Sequence, residues 1–403
     1  RQGAARRGLA AVERAIRLAP RWGSSSRSLA LVQIELLVDL HRNREARGLL
    51  AELIPQAELA ADDVVAAEAS RLLGRIEQME GDLVAARREL TRAVEAFRQL
   101  DDDAHLADAL RLRGYAEVFG GSLAEAERYL LEAEELFERL DDVRGRAWVH
   151  QNLAWVSVLS GDHEVSERRL RSAIEAFEAL DDRGGRSWSR GLLAYVYHFA
   201  RRNDEALALA AKALEDAKQW SDAWVVSMMH NLEASVMLWR GRIGDAHDLA
   251  TRSLAGFRRI DDQFGQIQAL GTLNRASVAL GRFAEADRTV EEVMALSGSF
   301  GELAYPGIAA AGTAMHLGRG HEAELQASEA VGRLDTTGAN VDDGRVIRAF
   351  GQILTGDPEA ALTTLLAVDV ERSPFALAAR ATASAMVGDG TQACADADRV
   401  ATM

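Results

Sequence analysis

Apolar residues return along most of this chain at helical spacing, three or four positions apart, and no stretch alternates like a half-buried strand. The segment from Asp141 to Leu180 serves as a sample. Ala147, Leu153, Ala154 and Val158 form one apolar face, and Gly161 then breaks the pattern. Leu170, Ala173, Ile174, Phe177 and Leu180 form a second face. Asp141 and Asp142 precede the first run, where a short acidic side chain accepts from the free amides of a helix start. Gly161 stands where a left-handed residue commonly ends a helix. The spacing predicts a helix hairpin.

That hairpin recurs every 40 residues. Its turn reads Gly81–Ala86, Gly121–Ala126, Gly241–Ala246 and Gly281–Ala286, with degraded copies at His41–Ala46, Gly161–Ser166 and Arg201–Ala206. A second marker keeps the same beat at Leu100-Asp101-Asp102, Leu140-Asp141-Asp142, Leu180-Asp181-Asp182 and Ile260-Asp261-Asp262. A fixed period of this size means stacked supersecondary units rather than one globular core. Gly74, Gly114, Ala154, Ala194 and Ala234 recur in the first helix, and Ala86, Ala126, Ala206, Ala246 and Ala286 in the second. Small side chains there let the two helices approach closely.

Composition narrows the picture. Ala, Leu, Glu and Arg dominate, all good helix formers. The net charge of −15 argues against non-specific nucleic-acid binding, and the basic first 48 residues lack a helix suited to reading bases. No run approaches the roughly 20 apolar residues needed to span a bilayer. Cys394 is the one cysteine, so no internal disulfide is expected and the setting reads as cytoplasmic.

The constellation Gln151-Asn152-Leu153-Ala154, Gly161, Leu170 and Ala173 resembles the tetratricopeptide repeat, in a variety longer than usual, with Asp-Asp replacing the proline after the second helix. The longer variety is similar to arrays in bacterial multidomain signalling ATPases and LuxR-type transcription regulators. The resemblance implies an all-α, right-handed superhelical solenoid of stacked antiparallel hairpins. Residues 1–20 are expected to supply the second helix of an incomplete repeat, residues 21–300 regular repeats, and residues 301–403 degenerate repeats of shorter period. An apolar face of Leu9, Val12, Ile16 and Leu18 with no covering helix suggests a fragment of a longer protein. Gly301 with Pro306, and Thr336 to Asp343, read as longer loops or strained joints, and a small-molecule pocket could also form near Gly301 and Pro306.

In such arrays the first helix of each hairpin lines the concave groove. Carried over by register, the candidate ligand-binding residues are Arg71, Arg75, Arg111, Tyr115, Trp148, Gln151, Trp155, Trp188, Tyr195, Asn231 and Arg275. Aromatics with flanking guanidinium groups suit a peptide or acidic ligand, and Asn231 could hold a peptide backbone. The competing reading makes the aromatics packing between repeats and the arginines solvated charge. No phosphate-binding loop or His-Glu-x-x-His pair occurs, and a carboxylate pair repeated in four units is structural, because an active site needs one constellation. Neither a catalytic site, a metal nor a cofactor is expected. The resemblance implies a protein- or peptide-binding module, with covalently attached domains outside this segment, serving as the sensor or interaction region of a larger bacterial signalling or transcription-regulatory protein. A free-standing scaffold, or the recognition arm of a peptidase or nucleotide cyclase, would read the same way.

Overall fold

The computed structural model describes residues 2–18, 23–40, 42–120, 122–220, 222–297, 305–337 and 341–402. Every regular element among them is helical. Contacts divide the chain into two compact units, Arg1–Arg240 with Asp248–Ala269, and Gly241–His247 with Leu270–Met403.

The first unit contains α1 (Gln2–Leu18), α2 (Gly23–Asp39), α3 (Asn43–Leu59), α4 (Asp63–Glu80), α5 (Leu83–Gln99) and α6 (Asp103–Gly120). It continues through α7 (Leu123–Arg139), α8 (Val143–Leu159), α9 (His163–Ala179), α10 (Arg183–Phe199), α11 (Asn203–Trp220) and α12 (Ala223–Trp239). Most of α13 (Ile243–Arg259) and the start of α14 (Gln263–Ala279) complete it. Each even-numbered helix from α4 to α10 packs closely on its successor as a hairpin, and that successor packs on the next hairpin. This is the stacked, all-α arrangement that the period predicts.

Two turns alternate. Between the helices of a hairpin, Gly81, Gly161, Gly241 and Gly281 adopt φ of 85°, 84°, 70° and 71°. There glycine avoids the cost of a left-handed Cβ. Arg201 occupies the equivalent place at φ 64° without that relief. Between hairpins the Asp-Asp pair splits its work. The first member, Asp101, Asp141, Asp181 or Asp261, is left-handed at φ 48° to 55°, a conformation that aspartate tolerates better than most residues. The second member closes the old helix with its backbone: the amide of Asp142 donates to the Phe137 carbonyl at 2.9 Å, and that of Asp182 to Phe177 at 2.8 Å. Its carboxylate then caps the new helix, accepting from the Gly145 amide at 2.8 Å or the Gly185 amide at 3.0 Å. One such cap contributes about 1 kcal/mol.

The phenylalanine that accepts the closing bond also fixes the next helix. A Cβ on Gly145 would lie 2.3 Å from the Phe137 ring, on Gly185 2.5 Å from Phe177, and on Gly265 2.2 Å from Phe257. The ring lies under the first turn of the following helix, and only glycine leaves room for it. Within hairpins, a Cβ on Gly74 would lie 2.6 Å from Leu90, which accounts for a small residue there. Ala86, Ala126, Ala206 and Ala246 are fully buried opposite.

The second unit runs on through α15 (Phe283–Ser297), α16 (Tyr305–His316), α17 (Gly320–Thr337), α18 (Asp342–Leu354), α19 (Pro358–Leu365), a 3-10 turn at Val370–Arg372, α20 (Pro374–Val387) and α21 (Gly390–Thr402). Gly318, Gly356 and Gly388 are left-handed at its turns. Two expectations are corrected here. Pro306 belongs to α16 rather than to a loop, at the helix start where its missing amide proton costs nothing. Helix also covers Thr336, Thr337, Asp342 and Asp343, the two ends of the segment read as a longer loop or strained joint, and 338–340 lie outside the described residues. Gly301 lies outside the described residues.

Candidate functional site

The first helices α6, α8, α10 and α12, with the first turn of α14, surround one cleft in the first unit. Tyr115, Gln151, Trp155, Trp188 and Tyr195 line it together, joined by Trp224, Met228, Met229 and Phe264. Five of the residues expected from sequence therefore meet at one place. Tyr115, Trp155 and Tyr195 are spaced by whole periods, and Gln151 and Trp188 lie one and two turns earlier on the same face of their helices.

The aromatic rings are ordered. Trp188 and Trp224 stack with centroids 3.8 Å apart and planes 5° apart. Phe119 is met edge-on by Tyr115 at 5.2 Å, Trp155 at 5.4 Å and Phe264 at 5.2 Å. Tyr195 donates its hydroxyl to the Met228 carbonyl at 3.1 Å and accepts from the Asn231 amide at 3.2 Å. Asn231 thus lies behind the cleft wall and steadies Tyr195, and its buried Oδ1 lacks a hydrogen-bond partner. Gln151 is 3% exposed, and its side chain forms no hydrogen bond among the described residues. Burial pushes the Tyr115 hydroxyl well above its ordinary pKa, Asp262 adds to this and Arg111 opposes it. Tyr115 is therefore a neutral donor at physiological pH.

The arginines take a different part. Arg71 is buried and pairs with Glu68 at 2.8 Å and with Asp108 at 2.9 Å, with Glu35 further off at 3.7 Å. Arg111 completes the chain to Asp108 at 2.6 Å, and Arg75 binds Asp39 at 2.7 Å. Burial pushes the Asp108 carboxyl up, but Arg111 and Arg71 outweigh it and hold the group well below the carboxylate range. Neither reading of the arginines as ligand clamps or as solvated charge describes Arg71. Its guanidinium is spent on carboxylates of its own and adjacent repeats.

Trp148 points elsewhere. It meets Phe177 edge-on at 5.1 Å and joins the core around Ala147 and Ala173. Its counterpart Trp188 differs because the next unit offers it Trp224, whereas Trp148 finds Gly184 in that register. Arg275 belongs to the second unit, is exposed, and donates to Thr272 at 3.3 Å. Trp224 and Phe264 escaped the sequence reading although they are one period apart, a signal that was available. Among the described residues no three His, Cys, Asp or Glu side chains converge as a metal site, and no helix is long and apolar enough to cross a membrane.

Comparison with known proteins gives one family match and several neighbours in fold. The tetratricopeptide repeat family model matches residues 105–179. No curated protein matches the sequence. A Rap protein crystallised with Competence and Sporulation Factor superposes with a TM-score of 0.62 at 15% identity, over 94% of this chain and 99% of that one. The apo quorum sensor NprR of B. thuringiensis gives 0.49 at 13% identity, over 93% and 97%. A signal-transduction ATPase with a tetratricopeptide repeat sensor from Pyrococcus horikoshii gives 0.47 at 14%, over 83% and 52%. Residues 105–179 thus match tetratricopeptide repeats, and hairpins of the same build flank them in a fold shared with the Rap protein.

Proposed function

We propose that this array binds a protein segment or peptide in the aromatic cleft of its first unit, without catalysing a reaction on it. The observation that carries the reading is the convergence of Tyr115, Trp155, Trp188 and Trp224 around Gln151, whose side-chain amide forms no hydrogen bond among the described residues. Aromatic side chains anchor partners at low entropic cost. A cleft-lining amide lacking a partner suits a peptide backbone, which offers both donor and acceptor. The fold likeness to a Rap protein that carries a bound factor supports the same reading. We place the array as the sensor or interaction region of a larger cytoplasmic regulatory protein in which attached domains respond to occupancy.

The test is selection of short peptides on the purified chain from a displayed library, followed by calorimetry. Peptides that bind through the cleft should lose about tenfold or more in affinity on Gln151→Ala or Trp155→Ala, the expected effect of a central anchor. Selected peptides indifferent to both substitutions would sink the assignment.

A further inference from the structure

We propose that Phe264 is an internal occupant of the cleft, a ring held where an aromatic side chain of the bound partner sits. This rests on the peptide-binding reading above and goes further, naming the side chain recognised and what must move to admit it.

Phe264 stands in the first turn of α14, and Phe119 in the last turn of α6, with seven helices between them. The extensive contacts in the first unit join helices that are neighbours or next neighbours in the chain. Phe119 and Phe264 nonetheless meet at 5.2 Å, across the cleft. Regular stacking does not require such a contact. It is a clasp between distant repeats, made by one ring edge.

Three observations give the clasp a functional direction. The cleft that Phe264 lines has a cavity volume of 20 Å³, room for about one water and none for a side chain. A ligand anchor must therefore displace something, and Phe264 is the wall residue contributed by the most distant helix. The site Phe264 fills is chemically aromatic, since Phe119 already receives Tyr115 and Trp155 edge-on. A ring there gains the same edge-to-face contacts whichever chain supplies it. The closed state also leaves amide groups unsatisfied. Gln151 has no hydrogen-bond partner in the cleft, and beside Phe264 in sequence the Gln263 Oε1 is buried without one. A partner's backbone in the cleft offers what Gln151 lacks. Binding then exchanges an internal ring for an external one and separates α14 from α6, so occupancy is reported as a change in the first unit. The coupling is as large as the partner's preference for the open state.

The experiment titrates N-acetyl-phenylalaninamide and N-acetyl-isoleucinamide into the full chain and into Phe264→Ala and Phe264→Leu. Phe264→Ala should bind the phenylalanine amide about two- to tenfold tighter than the parent, the worth of one aromatic pair. The isoleucine amide should gain little, and Phe264→Leu should fall between. Hydrogen exchange at Tyr115 to Phe119 should rise in both variants. If Phe264→Ala loses helical signal, Phe264→Leu alone carries the comparison. Equal binding by parent and variants, or equal gain for both amides, overturns the proposal. A library-selected peptide that needs Trp155 but ignores residue 264 would overturn the clasp and leave the peptide-binding reading standing.

Discussion

Two stretches of the first unit share one backbone plan and put it to opposite uses. In α2, α4 and the first half of α6 charge dominates this face, and Glu35, Arg71, Asp108 and Arg111 form a continuous ion-pair run. In α8, α10 and α12 the same face carries Trp155, Trp188 and Trp224. The charged stretch is closed on itself, because each guanidinium has found a carboxylate on its own helix or a neighbouring one. The aromatic stretch is open, with the Gln151 amide lacking a partner.

The largest effect should come from the frame that both stretches share. Phe177→Ala removes a fully buried ring that supports both Trp148 and the Gly185 turn, and should cost about 3–5 kcal/mol in urea unfolding. Next is the charged stretch. Arg71→Ala leaves Glu68 and Asp108 without their buried cation and should cost about 3 kcal/mol, while Arg71→Met should cost clearly less. Neither should change the affinity of a cleft-binding peptide by more than the loss of stability explains. In the aromatic stretch the pattern should invert. Trp155→Ala, at a ring only partly buried, is expected to cost less stability than Phe177→Ala, with the main loss in binding. A Trp155→Ala protein that unfolds as readily as Arg71→Ala would erase the distinction between the stretches.

The smallest effect concerns acid. Asp108 is held below its ordinary pKa, so its share of stability is complete above about pH 4 and is lost as pH falls through the folded value. His230, on α12, is pushed down by burial and then by Lys218 and Arg252. Its neutral form favours folding, and its share is complete above about pH 6.5 and lost as pH falls through its folded value. Glu233, one turn away, is raised by burial and acts in the other sense. Hydrogen exchange between about pH 7 and 5 should therefore loosen α12 before α6. His230→Gln should remove that early step, and an unchanged profile would dismiss the histidine.

Much of this was legible in the sequence, because the repeat restates its geometry in residues. Gly81 and Gly161 mark left-handed turns, and Asp-Asp marks the passage between hairpins. Other features were written down but harder to see. Phe137, Phe177 and Phe257 each stand eight residues before a glycine at the same register, which gives the ring-under-helix contact once the pairing is known. Arg71 was read as facing a ligand, although Asp108 lies nearly one period on and takes its charge. The Phe119–Phe264 contact was not legible at all. It depends on rotation accumulated over several hairpins, and no single unit encodes that.

The doubled aspartate has a consequence for how such a gene can change. Cutting out Asp142 to Asp181 would join Asp141 to Asp182, and the new junction would again read Leu-Asp-Asp. Phe137 would then lie below Gly185 in place of Gly145, with the same cap and the same left-handed residue between them. Recombination between two such junctions can therefore add or remove a whole hairpin without creating a seam. In this lineage the number of hairpins is a quantity that inheritance can revise in single steps, while the shape of each is kept.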